Sequence, residues 1–222
     1  MGKSVYEKID ELFRPRSMAA VGVSEKMGNM GMSFLEGYRR LGFEGPLYAI
    51  HPSRDIKGYE THRGLEDIPG PVDMVKISVP AASVPDVIED CAKKGVKSAV
   101  IFASGFRESG EPNGAALEDK IVSVARAGGV RLIGPNCMGI HCPESGMTIR
   151  GDMPVTEPGN IGIVAQSGGI AISSVMGLCE RGLSTSKVVS YGNESDLGPP
   201  EFLHYLARDE STRVICLYIE GT

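Results

Sequence analysis

What most constrains this chain is a rhythm. Short runs that are almost wholly apolar are each followed by a turn and then by a stretch with helical periodicity. SMAAVGV (17–23), PLYAI (46–50), DMVKISV (73–79), KSAVIFA (97–103) and VRLIG (130–134) are the apolar runs. Between them lie helical stretches at Met30–Leu41, Val84–Lys94 and Ala115–Ala127. In the second of these, Val84, Val87, Ile88 and Cys91 share one face. Strands apolar on both faces and alternating with helices predict a parallel sheet covered on both sides, an α/β fold.

Pro143 to Gly159 interrupts the rhythm with proline, glycine and short polar residues, and reads as a connection between domains. The alternation then resumes: strands at NIGIVAQ (160–166), TSKVVS (185–190) and RVICLYIE (213–220), helices at Ile170–Arg181 and Pro200–Ala207. The division is therefore 1–143, a linker at 144–158, and 159–222. Three strands are fewer than a doubly wound sheet normally has, so the second domain is expected to be truncated.

Composition narrows the function classes. The formal charge is −5, and no basic stripe is present, which argues against nucleic-acid binding. No run approaches the ~20 apolar residues of a membrane span. MGKSVYEKID has no signal-peptide core and matches a myristoylation site only loosely. Five scattered cysteines give no disulfide framework, so a cytoplasmic location is expected. Cys137, His141 and Cys142 lack a second ligand pair, and no metal site is expected. The four histidines read as surface or loop residues.

Candidate chemistry sits at the strand ends. GVSEKMGNMG (22–31) supplies Gly22, Gly28 and Gly31, but Ser24 stands where a dinucleotide fingerprint needs its second glycine. An anion can still approach such a turn, with free N–H groups expected at the next helix start. The second strand ends AIHPSR, with Arg54 and then Lys57 where an NAD enzyme carries an acid. A cation there suits a phosphorylated ribose, as in NADP or coenzyme A. Pro80 and Ala81 suit a thin pantetheine arm, and Ser104-Gly105 can offer a hydroxyl and a backbone N–H. In RLIGPNCMG (131–139), Asn136 tips a tight turn, and Cys137 reads as a packed or site-lining thiol. AQSGG places Ser167 as a helix cap with Gly168 and Gly169 behind it, a second anion site.

Together GVSEKMGNMG, HPSR, VPA, SGFRE, GPNCMG, VAQSGG, GNESD and YIEG resemble, in this order, the NDP-forming acyl-CoA synthetases, relatives of the succinyl-CoA synthetase alpha subunit. The similarity runs from about Arg14 to the end. It implies a Rossmann-like CoA-binding domain followed by a flavodoxin-like ligase domain. The implied reaction joins an acid to CoA with conversion of ATP to ADP and phosphate, through an acyl phosphate and a phosphohistidine. By resemblance, Gly22, Ser24, Glu25, Lys26, Met27, Pro52, Arg54, Pro80, Phe102, Ala103 and Ser104 contact CoA. Asn136, Cys137, Ser167, Gly168 and Gly169 surround the acyl phosphate, and Glu220 supports the phosphohistidine. The phosphorylated histidine belongs to an SHTG-like segment that follows YIEG in the family and is not in these 222 residues. ADP or ATP with Mg is expected on a nucleotide-grasp domain or beta subunit, in an oligomer. By itself the chain is expected to bind CoA without turnover. The alternatives are a CoA-binding regulatory module of a multidomain acyltransferase and an NADP-dependent oxidoreductase.

Overall fold

The computed structural model describes residues 4–221. It opens with α1 (Val5–Phe13), a helix the sequence reading did not anticipate. A capping box starts it: Glu7 N–H donates to Ser4 Oγ at 3.3 Å and Ser4 N–H donates to Glu7 Oε2 at 2.7 Å. Ile9, Leu12 and Phe13 are its buried face.

The first unit then follows the expected alternation: β1 (Met18–Val21), α2 (Met30–Arg40), β2 (Leu47–Ile50), β3 (Glu60–His62), β4 (Met74–Ile77), α3 (Val84–Lys94), β5 (Ser98–Ile101), α4 (Pro112–Gly128) and β6 (Arg131–Ile133). All six strands are parallel, in the order β3-β2-β1-β4-β5-β6. This is the doubly wound, Rossmann-like order, whose direction of winding reverses between β1 and β4. β3 escaped the sequence reading because three residues, ETH, at a sheet edge carry no apolar run. One sheet face, including Val75, Ile77, Ala99 and Ile101, packs against α3 and α4 through Val84, Ile88, Cys91, Ile121 and Ala125.

The other face joins the second unit. That unit comprises β7 (Gly139–His141), β8 (Ile161–Ala165), α5 (Gly168–Cys179), β9 (Thr185–Ser190), α6 (Pro199–Leu206) and β10 (Val214–Tyr218). Its sheet order is β10-β8-β9-β7, with β7 antiparallel to β9. The three parallel strands have the order that begins a flavodoxin-like sheet, first strand between second and third. β7 precedes residue 143, so chain counted with the first unit completes the second sheet. Four strands are therefore present where three were expected. β10 is exposed along its whole length.

The connection 144–158 is packed rather than loose. Met147, Thr148, Ile149 and Met153 are buried, and Arg40 donates to the carbonyls of Gly151 (3.0 Å) and Met153. One hydrophobic core runs through both units, joining Phe13, Phe34, Val100 and Ile133 to Val164, Val189, Phe202 and Tyr205. Phe13 stacks on Tyr205 at 5.1 Å.

Burial corrects one expectation and adds a second polar residue to the interior. His141, expected at the surface, is fully buried on β7, and neither ring nitrogen has a hydrogen-bond partner among the described residues. Lys76, in the middle of β4, is also buried. Its Nζ donates to the Met138 carbonyl at 2.6 Å and lies 4.1 Å from the centre of the Phe34 ring. Burial lowers its pKa to about 8.

Candidate functional site

The glycine turn is built by backbone proximity. Gly22 has φ +94°, and a Cβ on it would stand 2.7 Å from the carbonyl of Ser78 at the end of β4. A Cβ on Gly31 would stand 2.7 Å from Gly22 O. Strand end, turn and helix start thus touch main chain to main chain, which leaves no room for side chains at those two positions. Asn29, missed by the sequence reading, closes the turn. Its Oδ1 accepts from Ser24 N–H (3.0 Å) and Met32 N–H (2.8 Å), and its Nδ2 donates to Gly22 O (3.1 Å). The helix start is therefore less open to an anion than expected, because Asn29 already caps it.

The turn overhangs the point between β1 and β4 where the winding reverses, the usual ligand crevice of an open parallel sheet. A cleft of about 560 Å³ there is lined by Gly22, Ser24, Lys26, Pro52 and Pro80, with Arg63 as an unforeseen basic neighbour. Arg63 is engaged by Asp55 Oδ1 at 2.7 Å and by the Arg54 carbonyl at 2.7 Å. An adjoining hollow of about 510 Å³ brings Arg54 beside Ser24, Glu25 and Lys26. The Arg54 guanidinium has no carboxylate partner among the described residues. Met27 and Lys57 line a further hollow of about 720 Å³ with Arg39 and Tyr59, which shares Glu25 and Lys26 with the hollow at Arg54.

A second cavity of about 480 Å³ lies between the units. It gathers Pro80, Phe102, Ala103, Ser104, Asn136, Cys137, Gly168 and Gly169, with Met138 and Ile172 completing it. Ser78, Val79 and Pro80 line both this cavity and the first cleft, so the two adjoin. No charged side chain lines the second cavity. Cys137 is 3% exposed, and burial pushes its thiol up to about 11, so it is a packed thiol at neutral pH. Ser167 caps α5, accepting from Ile170 N–H at 3.4 Å. Met138 is held from two sides: its N–H donates to Ser190 Oγ at 3.1 Å, and its carbonyl accepts Lys76.

Gly105 departs from expectation. Its N–H is already taken by Glu108 Oε1 at 2.7 Å, so Ser104 is left as the donor of that pair. Glu220 follows β10, and its backbone N–H donates to Gln166 Oε1 at 2.8 Å. It thus stands at the same sheet end as Ser167, where β8 and β10 pair and the second sheet's winding reverses. The sequence marks Gln166 only as a strand end, and its bond to Glu220 depends on the pairing of β8 with β10, which sequence does not display. Among the described residues no three His, Cys, Asp or Glu side chains converge as a metal site, and no helix is long and apolar enough to cross a membrane.

Two parallel-sheet α/β units meet at one cavity, and the cleft at the winding reversal of the first sheet adjoins it, which is where open α/β folds hold ligands. Comparison with known proteins makes this specific. Residues 16–143 match the CoA binding domain, and 158–222 match the succinyl-CoA ligase like flavodoxin domain. The chain belongs to the CoA binding domain family, and over nearly its whole length it is related to the ADP-forming acyl-CoA synthetases. It is 40% identical to an ADP-forming acetate–CoA ligase II of Archaeoglobus fulgidus, over 95% of this chain and 32% of that one. It is 35% identical to the alpha subunit of an ADP-forming acetate–CoA ligase I of Pyrococcus furiosus, over 96% of this chain and 47% of that one. The apo acetyl-coenzyme A synthetase 1 of Ca. Korarchaeum cryptofilum, described as dinucleotide forming, superposes with a TM-score of 0.90 at 33% identity. That match covers 96% of this chain and 46% of the other. The chain thus spans about a third to a half of the length of these relatives.

Proposed function

We propose that this chain is the CoA-binding portion of an ADP-forming acyl-CoA synthetase, and that alone it binds CoA without turnover. The observation that carries this is the continuity of the two cavities through Ser78–Pro80. CoA is long, with phosphates at one end and a thiol at the other. Arg54 and Lys26 offer cations at one end of the path, and Ser104 and Asn136 stand at the other. In the complete enzyme the thiol sulfur attacks the carbonyl carbon of an acyl phosphate. The C–S bond forms as the S–H proton passes to the departing phosphate, the C–O bond to phosphate breaks, and the phosphate leaves toward Ser167, Gly168 and Gly169 at the start of α5. Glu220 supports a phosphorylated histidine by accepting its ring N–H; His141 is too buried to serve. The uncharged lining favours a short acid with an uncharged tail, because an unpaired buried carboxylate is costly.

ADP or ATP with Mg is assigned to a nucleotide-grasp domain or beta subunit, which makes the working enzyme an oligomer or a longer chain in the cytoplasm. The Pyrococcus relatives carry the name of an alpha subunit, which supports such a partner. Calorimetry with CoA and 3′-dephospho-CoA tests the reading. CoA is expected to bind roughly tenfold more tightly than the dephospho form, and Arg54→Ala to remove that difference. Failure of both ligands to bind overturns the proposal; equal affinity removes Arg54 from its role.

A further inference from the structure

Asn193, between β9 and α6, has no part in the reading above, yet its side-chain amide is fully committed. Nδ2 donates to Glu108 Oε2 and to Glu118 Oε2, the latter at 2.9 Å. Oδ1 accepts from Asn136 Nδ2 at 3.4 Å. The backbone N–H of Asn193 donates to Pro135 O at 3.0 Å. Glu108 in turn holds the turn after Ser104, its Oε1 accepting from Gly105 N–H (2.7 Å) and Phe106 N–H (3.3 Å). Glu118 is 4% exposed and accepts Arg107 N–H at 3.2 Å. The preceding Gly192, at φ +61°, lies so close to the carbonyls of Pro135 and Asn136 that a Cβ does not fit. One side chain of the second unit therefore grips both loops that border the cavity between the units.

We propose that Asn193 is a positioning residue that fixes the spacing between the Ala103–Ser104 turn and Asn136, and with it the seat of the thiol half of CoA. The proposal rests on reading the joined cavities as the CoA site. Its chemistry is sharp because two carboxylates face the amide nitrogen, and an aspartate has no hydrogen to give them. The charged groups around position 193 are Glu108, Glu118 and Arg107, whose Nε lies 3.5 Å from Glu118 Oε1 and which also pairs with Asp119. Asn193→Asp would set a third carboxylate among these groups. The loops would be pushed apart without any loss of side-chain volume.

The test is titration of the full chain, as wild type, Asn193→Asp and Asn193→Ala, with CoA and with adenosine 3′,5′-bisphosphate, the nucleotide half of CoA. Asn193→Asp is expected to weaken CoA binding about tenfold or more near pH ~7.5, the scale for loss of hydrogen bonds to charged groups. Binding of the nucleotide half is expected to stay within about twofold of wild type, since Arg54 is at the other end of the path. Relative to wild type, the Asp variant is expected to recover part of its CoA affinity near pH ~5.5. There one of three crowded carboxyls takes up a proton and can donate again. Asn193→Ala is expected to lose affinity for CoA with no such recovery. Wild-type affinity for CoA in the Asp variant, or equal loss of both ligands, overturns the proposal. Absence of CoA binding by the wild type itself removes the underlying reading, and the proposal with it.

Discussion

At the scale of single residues, the buried polar groups are where sequence was least informative. Lys76 stands inside the run DMVKISV, and nothing local tells which face of the strand it takes. His141 belongs to a three-residue strand in a glycine- and cysteine-rich stretch that reads as loop. Once buried, it has a measurable consequence. Burial lowers its pKa from 6.5 to about 4, so between those values the native state binds fewer protons than the unfolded chain. Its stability contribution is then complete above the unfolded value and lost as pH falls through that window. Wild-type stability is expected to drop by on the order of 3 kcal/mol between about pH 6.5 and 4, and His141→Leu to flatten that limb. Urea unfolding at a series of pH values checks this. Hydrogen bonds from partners hold Asp73 and Asp209 below the ordinary carboxylate range despite their burial, so their own losses fall at lower pH.

At the scale of elements, the turn 22–31 shows how a motif can be found and still be misjudged. The glycines identify a strand-to-helix turn. The role of each glycine follows from what stands beside it: Ser78 beside Gly22, and Gly22 beside Gly31. Asn29 is legible afterwards as an N-cap one residue before Met30, a signal of ordinary capping preference. Its bonds back to Ser24 and Gly22 are a matter of loop closure. Asn29→Ala removes all three, and is expected to cost about 1–2 kcal/mol of stability. CoA affinity should fall with it, because Ser24 and Gly22 lose their support. Urea unfolding read alongside calorimetry checks both; full affinity in a destabilised variant would detach the turn from the ligand. The two short strands were invisible for a common reason. β3 and β7 have three residues each and exist through pairing partners distant in sequence.

At the scale of the whole molecule, two sheets share one core. α1 packs its Phe13 against Tyr205 and Phe202, and Tyr205 OH donates to Asp10 Oδ1 at 2.7 Å. Lys187, buried on β9, donates to both oxygens of Asp209 at 3.0 Å and lies 3.7 Å from Glu144 of the connecting segment. Such continuity predicts a single cooperative unfolding transition despite two family-matched regions. Phe13→Ala should lower stability by about 3–5 kcal/mol and keep one transition in calorimetry. Two separate transitions, in either protein, would show that the units unfold independently.

The sequence by itself determined the alternation of strand and helix, the parallel character of the first sheet, and the strand-end turns that line its clefts. These follow from local periodicity and from turn residues, which act over a few positions. Tertiary structure decided what depends on neighbours far along the chain. It put β7 into the second sheet, closed the turn with Asn29, buried Lys76 and His141, and set Asn193 against Glu108 and Glu118. Burial and hydrogen-bond geometry are properties of packed surroundings, and a linear pattern does not contain them.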